Sequence, residues 1–574
     1  MKNKNIESQQ LSELDCKVAI MSNAFADYIV DYEGDFSEIT QRDNAICYQV
    51  IDEKYVVVHT PRIESPFFDF PNMPSLFSPC GISSVDSAGI LLLHTQPYLT
   101  LRGSGVLIGF LDTGIDYTHP AFIYEDNTTK ILSIWDQTIQ EGIPPINFLY
   151  GSEYTSFDIN QALVSDNPYD IVPSIDEIGH GTFNAGVAAG RYIEREPFVG
   201  AAPDAEIIMV KLKPAKEYLK EIYLLREDAV AYQENDIMLG IQYLMQQASI
   251  YGRPLVICIT VGSNQGSHDG TSILEEYLER VSKIMGYAVV VAAGNEANLG
   301  HHYLGNYPEG TPFQDVDISV AENERGICAQ IWAQRPDVYS VGILSPIGSV
   351  VPRIAPSIQL QEEFDLLLER TRIYIEYQLI EDNSGDQLII LRLQNPTPGI
   401  WTIRIYGDVV VTGRYNIWLD REGWIFPRTQ FLSPNISDTI TIPGTANTPI
   451  TVGAYNHLDN SIYIGSGRGP TRDGRLKPEI VAPGVNVIGP LPNNQYGSRT
   501  GTSISASHVA GAAALILQGA IFEGVIGITN TRSIKNMLNR GATRRSPIIY
   551  PNYVWGFGEL DLINSYEILR GRLD

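Results

Sequence analysis

The chain has 574 residues, 44% of them hydrophobic, with 50 glycines and 34 prolines; this balance excludes a disordered polymer and gives length for roughly three or four ordinary domains. Its net charge of −27 excludes a nucleic-acid partner, because a phosphate backbone would be repelled. Five cysteines, Cys16, Cys47, Cys80, Cys258 and Cys328, are odd in number and hold no CxxC pair, so neither a disulfide framework nor a zinc site is expected, and reduced thiols fit synthesis in a cytoplasm.

The stretch Met1 to Gln10 lacks the apolar core of a signal peptide, and no apolar run reads as long enough to span a bilayer. Ala26 to Tyr32 and Tyr55 to His59 read as strands, and the apolar run Ile90 to Leu93 precedes an extended stretch; residues 1–96 form a small unit of their own. Val106 to Leu111 is an unbroken apolar run, the pattern of a parallel strand buried on both faces, with Asp112 at its C-terminal end and Thr113-Gly114 after it. Parallel sheets collect functional groups along that edge, although an Asp before Thr-Gly equally fits a turn. His180 stands between Gly179 and Gly181, ahead of a small-residue helical stretch, where an imidazole can face a cleft or simply cap a helix. Ile257 to Ser263 reads as a strand. Tyr287 to Ala292 is another, ending in Ala293-Gly294-Asn295, where the Asn amide is either a hydrogen-bond donor to a reacting group or a turn signal. The adjacent His301-His302 pair cannot easily face one ion from a strand, so no metal is expected there and a loop or cleft-rim role is favoured.

Beyond Asn295 the pattern changes. Ile373 to Ile380, Gln387 to Leu393, Gly399 to Ile405 and Asp408 to Trp418 are short runs rich in Ile, Tyr, Val and Trp, separated by turns such as Asn383-Ser384-Gly385-Asp386. That spacing predicts an antiparallel β-sandwich, placed as an insertion over residues 307–440. A core strand returns at Thr448 to Tyr455, followed by Pro478 to Gly484. Near the end, Gly501-Thr502-Ser503 opens an alanine-rich helix in which Val509, Ala510, Ala512, Ala513, Ala514, Leu515 and Ile516 make an apolar rod. A serine at a helix N-terminus has unpaired N–H groups and the positive dipole end beside it, which stabilise an oxyanion forming there. Taken alone, Gly-Thr-Ser is equally a helix cap.

Asp, then His, then Ser along an α/β chain is a known order for a catalytic triad. Phe110 to Asp116, Gly179 to Thr182, Ala292 to Asn295 and Gly501 to Ser503 together resemble the four signature blocks of the subtilisin-like serine proteases. The resemblance implies a subtilisin-like parallel-sheet α/β catalytic domain over residues 97–306 and 441–574. It implies Ser503 as nucleophile, His180 as general base and acid, Asp112 as orienter, and Asn295 with the Ser503 N–H as oxyanion hole. Thr260, Val261 and Gly262 are similar to the family's substrate-binding strand. One departure is plain: after the nucleophile the family usually reads Met-Ala-Ser/Thr-Pro-His, and this chain has Ile504-Ser505-Ala506-Ser507-His508. In position and length residues 1–96 look like a subtilase propeptide, an α+β unit whose tail occupies the active site, with an ordinary accessory domain as the alternative.

The layout is similar to the Csp-type clostridial subtilases of spore germination. That likeness implies a protein or peptide substrate, such as the pro-form of a spore cortex-lytic hydrolase, with the chain's own propeptide as bound inhibitor. It implies no organic cofactor, leaves structural calcium and oligomeric state open, and suggests packaging in spores. Self-cleavage is expected near Leu93 to Tyr98, to either side of Gln96-Pro97, whose proline disfavours scission. The competing class is a subtilase-fold scaffold whose triad stays permanently covered.

Overall fold

The structure is a computed structural model that describes residues 13–31, 47–62, 73–74, 76–79, 84, 86–94, 100–192, 198–522, 524, 527 and 529–569. At the N-terminus a helix (Glu13–Met21) lies with a three-stranded antiparallel sheet, β1 (Phe25–Asp31), β2 (Cys47–Val50) and β3 (Tyr55–Pro61), in the order β1-β3-β2. The β-branched run Val56-Val57-Val58 is buried on both faces, and Ile29 and Val57 join a core that continues into the catalytic domain. Cys16 and Cys47 form a disulfide, with Cα atoms 5.5 Å apart, which corrects the expectation of reduced thiols. Their sequence separation of 31 carries no spacing signal; the helix and β2 bring them together by packing.

Asp27 is a fully buried polar link between this unit and the rest. It is 1% exposed and accepts hydrogen bonds from His59 Nδ1 (2.7 Å), Lys216 Nζ (2.7 Å) and Gln233 Nε2 (2.8 Å). Burial alone would raise its pKa, but the Lys216 charge, His59 and their hydrogen bonds hold the carboxyl well below the ordinary range.

After β4 (Leu76–Pro79) come the catalytic strands β5 (Leu107–Asp112), β6 (Ile131–Asp136), β7 (Ser152–Thr155) and β8 (Glu206–Lys211), then a two-residue strand β9 (Tyr232–Gln233). β10 (Leu255–Ile259), β11 (Val261–Gly262) and β12 (Tyr287–Ala292) follow. The main sheet has nine strands in the order Ser461–Ile462, Ile450–Asn456, β12, β10, β5, β8, β6, β7, with Ile480–Pro483 also paired to Ile450–Asn456. Pairs β12/β10, β10/β5, β5/β8 and β8/β6 are parallel. Every residue of β5 and β10 is buried, as both faces are covered. The helices His180–Ala189 and Thr502–Ile521 lie on one side and Glu234–Tyr251 on the other. Thr502–Ile521 is long and apolar enough by composition to cross a membrane, contrary to the reading that no run is, yet 94% of its apolar window is buried inside the protein. It is the central core helix.

Between β12 and Ile450–Asn456 the chain builds two antiparallel sheets, of six and five strands, around a common core that includes Tyr377, Ile389, Trp401, Ile403 and Tyr415. The first strand, His302–Asn306, pairs with Arg414–Leu419, so the sandwich begins before residue 307. The run Asp408 to Trp418 is two strands and not one: Gly399–Val409 lies in the five-stranded sheet and Arg414–Leu419 in the six-stranded one. The buried Asp337 carboxylate accepts from the backbone N–H groups of Val411 (2.7 Å) and Gly413 (2.7 Å), which fixes the crossover between sheets.

Candidate active site

β5 delivers Asp112 to the C-terminal edge of the sheet with no exposed surface. Its Oδ1 accepts from Thr113 N (2.7 Å) and from His180 Nδ1 (2.6 Å), and its Oδ2 from Thr260 Oγ1 (2.6 Å) and Asn184 Nδ2 (3.0 Å). Burial raises the Asp112 pKa, but the His180 imidazole and these hydrogen bonds outweigh it, leaving the carboxyl below its ordinary value. Asp112 is thereby held ionised, as an acceptor for the imidazole.

His180 opens its helix after Gly179, which has φ 73°. The helix start is tied to the β5 edge by Asp176, whose carboxylate accepts from Gly179 N (2.8 Å), Thr182 N (2.8 Å) and Thr113 Oγ1 (2.6 Å). At Gly181 a side chain would collide with the Gly114 carbonyl, so only glycine lets the helix approach this close. The other ring nitrogen, His180 Nε2, lies 3.3 Å from Ser503 Oγ. Since Nδ1 donates to Asp112, Nε2 is the nitrogen left to accept the serine proton.

Gly501, at φ 146°, turns the chain into the helix Thr502–Ile521, and Ser503 is its second residue. The Ser503 N–H therefore has no intrahelical acceptor. Asn295, after β12, accepts from Thr502 N (3.0 Å) through Oδ1, so the amide is fixed by its oxygen and its NH2 group is the donor that remains. The departure after the nucleophile is absorbed without a break: the helix is regular, and Ser507 Oγ donates to the Ser503 carbonyl (3.0 Å).

β4 occupies the groove. It runs between β9 and β11, antiparallel to both, with Leu76 opposite Gln233, Phe77 opposite Tyr232, Ser78 opposite Gly262 and Pro79 opposite Val261. Thr260 precedes that pairing and turns its hydroxyl to Asp112. The sequence reading draws the propeptide boundary at residue 96, whereas the groove strand ends at Pro79 and Ala88, Ile90 and Leu93 are packed in the catalytic core. Ser84 N donates to His508 Nε2 (2.8 Å) on the Ser503 helix, and burial lowers the His508 pKa to about 3, so this imidazole is neutral and can accept. Thr95 to Tyr98 and the first twelve residues lie outside the described residues.

The histidine pair splits. His301 Nδ1 bonds Glu296 Oε2 (2.6 Å), while His302 stacks on Trp418 and reaches Asn416 Oδ1 (2.9 Å). Among the described residues no group of three or more His, Cys, Asp or Glu is placed to hold a metal ion. Sequence reasoning passed over Asp176, Asn184 and Glu296. Asn184 follows His180 by one helical turn, a spacing that could have pointed to it; the contacts of Asp176 with Thr113 and of Glu296 with the Glu422 N–H are long-range and carry no local signature.

A family profile described as the subtilase family matches residues 103–321 and 428–558, leaving out most of the sandwich. The structure of the CspB protease of Clostridium perfringens superposes with a TM-score of 0.75 at 31% identity, over 85% of this chain and 98% of that one. Pyrolysin of Pyrococcus furiosus is 33% identical over 162 residues, 24% of this chain and 11% of the relative. The PII-type proteinase of Lacticaseibacillus paracasei is 21% identical over 475 residues, 73% of this chain and 23% of the relative. Against these two curated relatives the chain spans less than a quarter of their length.

Proposed function

The chain belongs to the subtilase family, and on that premise we propose that it is a serine endopeptidase whose triad is Asp112, His180 and Ser503. The observation that carries the reading is the bridge made by one imidazole, 2.6 Å from Asp112 Oδ1 and 3.3 Å from Ser503 Oγ. Ser503 Oγ attacks the scissile carbonyl carbon as its proton passes to His180 Nε2. The negative charge on the carbonyl oxygen is met by the Asn295 amide and the Ser503 N–H. His180 returns the proton to the leaving amine, and water then repeats the sequence on the acyl-enzyme. Asp112 stays ionised throughout and stabilises the imidazolium.

The same reading makes residues before about position 80 a propeptide that the enzyme cuts from itself and keeps in its groove. The antiparallel register of Ser78 and Pro79 on Gly262 and Val261 supports this, since it lays the strand along a segment whose preceding residue, Thr260, bonds Asp112. The likeness to CspB over nearly all of that protein supports a substrate among the proteins of a spore, such as a cortex-lytic hydrolase precursor. A specific observation also favours a permanently covered scaffold: β4 fills the groove and Ser503 has no exposed surface. A fluorophosphonate probe separates the two. Labelling of Ser503 in wild type, absent in Ser503→Ala, supports the protease; no label after removal of the N-terminal unit supports the scaffold.

A further inference from the structure

The six-stranded sheet of the sandwich has a second apolar face. Along Gly326–Ala333, Ile327, Ala329 and Ile331 enter the sandwich core, while the alternate residues Cys328 and Trp332 face the other way, as Leu388 and Ile390 do from the neighbouring strand Gln387–Gln394. That outer face packs on the catalytic-domain segment 215–231, where Tyr218, Leu219 and Ile222 supply the facing side chains. Met73, from the strap that leads into β4, enters this joint: it is 4% exposed and shares the same apolar cluster. Beside it lies a cavity of about 70 Å³, lined also by Gln330, Trp332, Leu388, Glu234 and Glu381, so the joint is not filled by Met73 alone. Gln330 Oε1 accepts from Gly266 N (2.8 Å) and from Trp332 Nε1 (3.2 Å), which ties the sandwich wall to the catalytic domain by bonds that do not involve the strap.

We infer that this joint between the sandwich and the catalytic domain is a distal recognition pocket for substrate, taking a long apolar side chain such as Met or Leu five positions before the residue that pairs with Gly262. The inference rests on the endopeptidase reading and names a substrate class: an extended protein segment with an apolar anchor well upstream of the groove. β4 shows the path, since it pairs with both β9 and β11, and Met73 stands five positions before Ser78, the partner of Gly262. A substrate segment in the same register carries its own residue to the same joint. The walls select against an acid there. Glu234 and Glu381, 2% and 6% exposed, line the cavity, so an aspartate would lose its hydration beside two carboxyl groups. The inserted sandwich thereby reads the substrate without touching the reacting bond.

The experiment compares a peptide copying residues 76–83 with extended peptides copying residues 71–83 that carry Met, Leu, Ala or Asp at the Met73 place, each bound at equilibrium to Ser503→Ala. The tethered strap competes with all of them alike, so the ratios survive it. The Met and Leu peptides are expected to bind about 10- to 100-fold more tightly than the short one, the scale of burying one such side chain, and the Ala and Asp peptides within about threefold of it. Adding Trp332→Ala should remove most of the Met advantage and leave the short peptide unchanged, which also shows that the variant is folded. A Met peptide no tighter than its Asp counterpart overturns the pocket, whether or not wild type is active. Fluorophosphonate labelling of wild type tests the endopeptidase reading separately. In labelled wild type the Met peptide should be cut with a kcat/KM about 10-fold or more above the Asp peptide. Equal rates, or no cutting of either, would confine the joint to the chain's own strap and overturn its assignment to substrate. If wild type takes no label, the endopeptidase reading fails, and the binding ratios alone support or overturn the joint as a peptide pocket.

Discussion

At the scale of single residues, the imidazole and the serine act as one unit, so Ser503→Ala, His180→Ala and the double variant should be nearly equal in residual turnover. Asn295→Ala should fold normally and lose about 10²- to 10³-fold in kcat, the usual loss for one oxyanion donor; near-normal turnover would remove it from the hole. Thr260 offers a test that depends on pH. Asp112 has a lowered folded-state pKa, so its stabilising share is present above the ordinary carboxyl value and is lost as pH falls through the folded value. Thr260→Val deletes one hydrogen bond to the ionised form, raises that folded value, and should move the acid-unfolding midpoint to higher pH. A midpoint unchanged from wild type counts against Thr260 as a support of the charge. These residues were legible in sequence because each lies within two positions of a glycine, at or just past the end of a strand or at the start of a helix. Asp176 was not, because the contact that ties it to the β5 edge, with Thr113, spans 63 positions, while its other three contacts are to Gly179 and Thr182 at the helix start.

At the scale of elements, the inserted sandwich is fastened to both walls of the groove. Arg421, just past the strand Arg414–Leu419, donates to the Gly262 carbonyl (2.8 Å), and Gln265 Nε2 reaches Asp420 (3.0 Å). On the opposite wall, the residue after Asn295 is Glu296, bonded by His301 and by the Glu422 N–H (3.2 Å). Burial would raise Glu296, but His301 and Arg421 keep its pKa below the ordinary value, so removing either leaves a buried charge less compensated. Arg421→Ala should therefore raise KM about 10-fold or more through the substrate strand, the scale of a lost hydrogen bond from a charged group, with a smaller change in kcat; the reverse split would detach the sandwich from binding. The N-terminal unit is held in a comparable way. Asp27→Asn leaves Lys216 buried without its anion, and should weaken the attachment by about 3–5 kcal/mol, read as faster loss of the processed unit on gel filtration. The sandwich itself was readable from its β-rich runs and turns. Its fastening was not, since Arg421, Asp420 and Glu296 look like ordinary surface charges until the two sheets are folded.

At the scale of the whole molecule, alternating buried strands and helices announced a parallel sheet, while the strand pairing that places β4 between β9 and β11 depends on contacts more than 150 positions apart, which no local periodicity encodes. Wild type should be cut once, after about residue 80, and Ser503→Ala should remain full length; mass spectrometry showing the same mass for both, with wild type labelled by the serine probe, would exclude self-processing. The position of β4 then has a kinetic meaning. While the backbone from Pro79 to Ser84 is intact, Ser84 is bonded at His508 and return of the strand to the groove is a unimolecular step, at an effective concentration on the order of millimolar and independent of how much protein is present. Once the link is severed, rebinding becomes bimolecular, and the inhibited fraction obeys mass action with a Kd of its own. Specific activity of the processed protein should rise on dilution and fall on adding back the N-terminal fragment, whereas peptide binding to uncut Ser503→Ala should show no dilution dependence, so that a single hydrolysis converts a permanent block into one that the surroundings can titrate.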